Sequence, residues 1–259
     1  MVDFVELAVR DVSESGVAIV RECVFRTEIE DLRSALQRET DVDLQTWGAN
    51  PSYRDHWMVH NLMERDPCFM SALDNDRIHA VLDRVLSPWC ILYAYTSSSL
   101  PPHGHNYSRR VHVDAQAEVE GYVTNIGVMI ALDDFTEENG ATRFLRGSHL
   151  SLKVPTEAEF LADAAAVYPR AGDAVIFNAR TFHLGGVNRT DRPRHAVTFN
   201  VCRHWMKQRF DFPRMLSDSQ LQSASPRLRR FLGFSSRVPV GLGEYYVAPE
   251  LRLFVGGQY

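Results

Sequence analysis

The chain reads as mainly β with flanking helices, folded as a double-stranded β-helix, a cupin-like jelly roll. Three observations lead there. Apolar runs of strand length, rich in β-branched and aromatic residues, recur from Cys90 onward. Helical periodicity is concentrated before them. Turn signals separate most of the later runs, which fits antiparallel sheets and not an alternating parallel α/β sheet.

The elements follow in order. Val17–Val20 is a short early strand. Thr27–Gln37 predicts a helix: Thr27 and Glu30 have capping-box spacing, and Ile29, Leu32, Ala35 and Leu36 form one stripe. Asn75–Leu86 predicts a second, with Ile78, Val81, Leu82 and Val85 on one side. Cys90–Thr96 alternates as a strand, so Tyr93 and Tyr95 are expected on one face. Pro101-Pro102 falls in a polar loop over Leu100–Arg110, and loops beside a rigid sheet often carry substrate contacts. Val111–Ala115 and Asn125–Leu132 are further strands, and Glu138-Asn139-Gly140 is a turn. Thr156 and Glu159 suggest a short helix over Glu157–Ala166. Strands Ala174–Asn178 and Ala196–Cys202 follow, separated by Gly185-Gly186, and Pro226–Phe231 begins a fourth helix.

Composition narrows the function classes. A chain of 259 residues suits a single domain over 1–259 with a sizeable core, and its 45% apolar content is ordinary for a globular protein. A net charge of −5 gives no case for nucleic acid or membrane partners. Cys23, Cys68, Cys90 and Cys202 form no CxxC pair, which favours free thiols in a reducing compartment. The N-terminus has no secretory pattern and no apolar run approaches membrane-span length. The expectation is a cytoplasmic protein acting on a small molecule, free or carrier-bound.

The chemistry centres on His112-Val113-Asp114 and on His183 downstream. Alternate side chains of a strand share a face, so His112 and Asp114 can address one metal while Val113 packs away. A third ligand must come from a neighbouring strand, and His183 follows the buried run that ends at Asn178. Two imidazoles and one carboxylate are the ligand set of a mononuclear iron(II) oxygenase, with positions left open for other ligands. By the same alternation Arg110 shares the ligand face, where the cosubstrate or an acidic substrate group would have to pair it; the alternative is a strand end facing solvent. His149 follows a Gly-Ser turn and reads as a structural group, His195 as facing away from Arg194, and His103 and His105 as loop residues.

An HxD pair alone occurs often by chance. Here Asn139-Gly140-Ala141-Thr142, Arg146-Gly147-Ser148-His149, and His183 with Arg194 eleven residues on follow it in order. With these motifs the chain, over roughly residues 13 to 245, resembles the phytanoyl-CoA dioxygenase-like family of iron(II)/2-oxoglutarate oxygenases. The resemblance implies that His112, Asp114 and His183 hold iron(II) and that Arg194 pairs with the distal carboxylate of 2-oxoglutarate. It places the Thr142 hydroxyl near the cosubstrate and gives Arg110 a cosubstrate contact as well. The N-terminal region around His60 and Asn61 would fold over the pocket mouth. A carboxylate at 114 argues for oxidation rather than halogenation. Arg146 departs from the family, which commonly has proline before the Gly-Ser-His.

The implied activity is oxidation of a small molecule by O2 and 2-oxoglutarate, with release of succinate and CO2. Hydroxylation, desaturation, epoxidation and ring formation would use the same ligands. A cupin-like isomerase or hydrolase without 2-oxoglutarate, and a non-catalytic jelly-roll binding protein, are the rival readings.

Overall fold

A computed structural model describes residues 3–115, 119 and 121–252. Helix α1 (Phe4–Glu14) starts where the Asp3 carboxylate accepts the Val5 N–H, and buries Ala8 and Val12. Strand β1 (Val17–Val20) follows, then the long helix α2 (Arg26–Trp47). Asp66 and Asn75 cap α3 (Pro67–Leu73) and α4 (Asp76–Val85) with their side chains. Strands β2 (Ile91–Ser97), β3 (Asn125–Ala131) and β4 (Arg143–Phe144) precede α5 (Glu157–Asp163). Then come β5 (Ala165–Ala166), β6 (Ala174–Asn178), β7 (His183–Leu184) and β8 (Ala196–Cys202). Short helices α6 (Phe212–Met215), α7 (Pro226–Phe231) and α8 (Leu242–Tyr245) end the described chain.

The strands form two sheets. The larger has the order β1-β6-β3-β8-β2, every pair antiparallel, and the smaller has the order β5-β4-β7. Strand β3 is buried at all seven positions, because both faces of the large sheet are covered. Its Ile126, Val128 and Ile130 meet Ile176, Val197 and Phe199 in the core under α2 and α4, with Leu32, Leu36, Val81 and Leu82. Each such side chain contributes roughly 1.5–3 kcal/mol by leaving water. The other face sends Met129, Val175 and Phe177 against Phe144 of the small sheet. Helix α5 covers the outside of that sheet, with Phe160 and Ala164 on Leu184. The metal-ligand candidates lie between the two sheets, on the face away from α2 and α4.

Several expectations change. The chain is not mainly β: it is 33% helix and 18% strand. Helices α1 and α3 were not expected, although Asp3 and Asp66 cap them, and α2 runs ten residues past Gln37. Helix α2 also starts earlier, at N-cap Phe25, whose N–H donates to Glu28, so Thr27 and Glu30 are not its capping pair. The Thr156–Glu159 capping box is present, but α5 stops at Asp163 and Ala165–Ala166 pairs with β4. The register of β2 against β8 slips between Leu92 and Ala94, a β-bulge. Tyr95 therefore packs on Phe199 in the helix-side core, while Tyr93 reaches the cavity, and the two do not share a face. Residues 111–115 are not a ladder strand: a single antiparallel bridge joins His112 to His183.

Candidate metal centre

The bridge between His112 and His183 does what a strand was expected to do. Asp114 is fixed separately, its N–H donating to the Ala179 carbonyl at 2.8 Å. The donor atoms of His112, Asp114 and His183 all lie within 4.8 Å of one another. Asp114 Oδ1 is 3.7 Å from Nε2 of each histidine. Donors about 2.1 Å from one metal stand about 3 Å apart at right angles and about 4.2 Å apart when opposed, so this spacing suits one ion.

The imidazoles are oriented for it. His112 Nδ1–H donates to the Arg110 carbonyl at 2.8 Å, and His183 Nδ1–H to the Thr181 carbonyl at 3.0 Å. With Nδ1 protonated, Nε2 carries the lone pair, the arrangement typical of metal-ligating histidines. Burial, and then the neighbouring His183, pull the His112 pKa down to about 4, which keeps its ring neutral at neutral pH. His183 is buried between Phe144 and Phe177, with ring centroids 5.4 and 5.1 Å away. The Gly147-Ser148-His149 turn supports this segment from outside. Ser148 Oγ accepts the Phe182 N–H at 2.9 Å, and His149 Nε2 bonds the Ser13 carbonyl at 3.0 Å. His149 is therefore the structural group expected.

The three residues open onto a cavity of about 280 Å³ between the sheets. Its apolar wall includes Met129, Phe144 and Phe177, and its polar wall includes Thr142, Thr198 and Asn200. Thr198 Oγ1 is buried without a hydrogen-bond partner among the described residues, so it is available to a polar ligand. Arg194 lies one layer behind. It is 2% exposed, donates to the carbonyl of the lining residue Ser98 at 2.7 Å and to that of Gly140 at 3.4 Å, and stacks 4.1 Å over Phe135. Its Nε has no hydrogen-bond partner among the described residues. Burial lowers its pKa to about 9, against the pull of Asp133, so it remains a cation at neutral pH.

A family model described as phytanoyl-CoA dioxygenase (PhyH) matches residues 12–196, a range that contains all three candidate donors. The chain belongs to the phytanoyl-CoA dioxygenase family. That places it in a family of oxygenases. It is 28% identical over 250 residues to the uncharacterized protein Mb1539 of Mycobacterium bovis, covering 94% of this chain and 92% of that one. It is 26% identical over 257 residues to the dioxygenase FUM3 of Gibberella moniliformis, covering 87% and 81%. In fold it is similar to the epimerase SnoN, solved with Fe3+, alpha ketoglutarate and nogalamycin RO. The TM-score is 0.58 and the identity 21%, with 77% and 83% of the two chains covered.

Within this PhyH-family chain the remaining sequence candidates separate clearly. Thr142 is buried on the cavity wall. Arg110 is exposed and does not share a strand face with the ligands; it lies over the Tyr107 ring at the cavity mouth, donating to the Tyr107 hydroxyl. His195 turns away from the cavity, bonding Ser99 Oγ at 2.9 Å and stacking on Trp57. His103 pairs with Asp191 on the surface, and neither it nor His105 lines the cavity. Near His60 and Asn61 it is Met58 that reaches the cavity.

Sequence reasoning passed over Thr198, Asn200 and Arg209. The first two were legible as polar residues at alternate positions of an apolar strand, on the cavity face of β8. Arg209 carried no signal, because only the folded chain returns it to β2. Among the described residues no helix is long and apolar enough to cross a membrane.

Proposed function

We propose that the chain is an iron(II)- and 2-oxoglutarate-dependent oxygenase that hydroxylates, or otherwise oxidises, a small molecule, releasing succinate and CO2. The observation that carries this is the His112–Asp114–His183 cluster. Both Nε2 atoms are freed for a metal and the cluster opens onto a cavity with polar and apolar walls. Iron(II) held there would supply oxygen activation coupled to decarboxylation of 2-oxoglutarate.

The protein's own part is positioning. Asp114 offsets charge on the metal, and the carbonyls of Arg110 and Thr181 hold the imidazoles in one tautomer. Arg194 supplies a fixed cation for the distal carboxylate of 2-oxoglutarate. Its planar fork suits a carboxylate better than an ammonium would. Thr142 and Thr198 offer hydroxyls to the same ligand, while Met129, Phe144 and Phe177 keep water from the reacting side. Burial pushes Cys90 and Cys202 up to about 12, so neither offers a thiolate to compete for the iron. These buried free thiols also support a cytoplasmic setting. The substrate is a metabolite or natural-product intermediate, and the sandwich is a double-stranded β-helix in this reading.

Anaerobic visible absorption of the protein with iron(II), before and after 2-oxoglutarate, tests it. A weak charge-transfer band that requires the oxo acid, is lost in His183→Ala and is weakened in Arg194→Ala is the expected result. Bound iron without such a band would promote a 2-oxoglutarate-independent isomerase or hydrolase.

A further inference from the structure

The mouth of the cavity carries two arginines that the proposed chemistry does not use. Among the described residues, Arg110 and Arg209 are the charged lining residues besides the three candidate ligands, and Asp114 is the one acidic residue in the wall. Neither arginine has a carboxylate partner among the described residues. The Arg110 side chain and the Arg209 backbone are nonetheless held in place. The Arg110 guanidinium lies flat, 4.3 Å over the Tyr107 ring, and its carbonyl is tied to His112. The Arg209 N–H donates to the Tyr93 carbonyl at 3.0 Å, at the bulge of β2. Its neighbour Gln208 donates to the Leu92 and Leu232 carbonyls at 2.7 and 3.1 Å, which locks the segment to the sheet.

A charge count shows what these groups lack. The single charge of Asp114 and the two of 2-oxoglutarate offset the two of iron(II) and the one of Arg194. Asp133, beside Arg194, is already paired with Arg33 at 3.1 Å. Among the described residues the loaded site would therefore be neutral before Arg110 and Arg209 are counted, which leaves their two positive charges in excess. Positive charge at the rim of a partly apolar cleft concentrates anions there, and paired guanidiniums bind an oxyanion directionally.

We infer that the substrate is an anion, an apolar body with a carboxylate or phosphate group that Arg209 and Arg110 bind at the mouth while the body lies against Met129, Phe144 and Phe177. This rests on the oxygenase reading of the same site. It assigns both arginines to the substrate rather than to the cosubstrate.

The test is calorimetric titration, under anaerobic conditions, of the protein loaded with iron(II) and 2-oxoglutarate. The ligands are two matched pairs: 4-phenylbutanoate with 4-phenylbutanamide, and 4-phenylbutyl phosphate with 4-phenylbutanol. Wild type is compared with Arg209→Gln, Arg110→Gln and the double variant, whose folding is checked by unchanged urea midpoints. At least one anion should bind tenfold or more tightly than its neutral partner. The preference should fall in each single variant and vanish in the double. The carboxylate and phosphate arms show which acid group is read. Equal binding within both pairs, no binding by either anion, or a preference that survives the double variant would overturn the inference. So would loss of 2-oxoglutarate affinity in Arg209→Gln, read from the charge-transfer titration. Absence of that band in wild type is the separate failure of the oxygenase reading.

Discussion

His112 and His183 are bonded to each other through both backbone groups, the N–H of each to the carbonyl of the other, at 3.0 and 2.9 Å. Residues paired in this way in antiparallel chains project their side chains to the same face. The two imidazole centroids accordingly stand 4.2 Å apart, although seventy positions of sequence separate them. One isolated bridge brings the ligands together, and the dihedrals of its two short segments set the site.

Metal binding should depend on both rings. Iron(II) at a hundred times its Kd raises stability by about 2.7 kcal/mol when it binds only the folded chain. Thermal melts of wild type with and without iron(II) should show that gain. His112→Ala and His183→Ala should each abolish it. Retention of the full metal-induced shift in either variant would remove that residue from the ligand set.

Arg194 should act on the cosubstrate and on stability together. Arg194→Ala leaves the Ser98 carbonyl, and the weaker Gly140 contact, without this donor, at a cost of about 1–3 kcal/mol for each buried group left unpaired. Arg194→Lys keeps the charge but not the fork, and should weaken 2-oxoglutarate binding at least tenfold. Urea denaturation and titration of the charge-transfer band separate the two effects. Unchanged 2-oxoglutarate affinity in Arg194→Lys would argue against a bidentate contact.

Gly127 should be a sensitive position for the site. A Cβ there would stand 2.1 Å from the Phe177 ring, which packs against His183. Gly127→Ala forces that ring to move, and overpacking of this kind costs about 1–3 kcal/mol. The expected result is a lower urea midpoint and a weaker iron(II) affinity measured on the same sample. A loss of stability with metal affinity untouched would show that Phe177 does not position His183.

Stability of the metal-free protein should fall in mild acid. Burial holds the His195 pKa down at about 4, with Arg33 and Arg194 acting in the same direction and Asp133 against them. Between that value and the unfolded value of about 6.5 the unfolded chain binds a proton that the native chain refuses. The contribution is therefore fully present above about pH 6.5 and is lost as pH falls toward 4. Urea midpoints measured across this window should decline in wild type and decline less steeply in His195→Gln. Parallel curves for the two would disprove the role of His195.

Strong local patterns were legible. Val17–Val20, Ala174–Asn178 and Ala196–Cys202 are strands at the expected residues, because β-branched apolar runs bounded by turn residues leave few alternatives. Helix α4 was equally plain from Asn75 and its apolar stripe. The bulge at Tyr93 was not, since the slip depends on how β2 pairs with β8 and leaves no mark in β2 itself. Nor was the true start of α2, where Phe25 caps without a side-chain acceptor.

The candidate donor residues are legible along the chain. It supplied a histidine and a carboxylate two residues apart, a second histidine behind a buried strand, and the ordered motifs that identify the family. Only the folded backbone fixes which nitrogen of each imidazole keeps its lone pair, because the carbonyls of Arg110 and Thr181 set the tautomers. It alone buried Arg194 behind Ser98 and carried Arg209 back to the mouth through Tyr93. The division has a physical cause. Side-chain chemistry and backbone propensity are local and can be read along the chain. A site between two sheets depends on register and on long-range hydrogen bonds, which only the folded backbone contains.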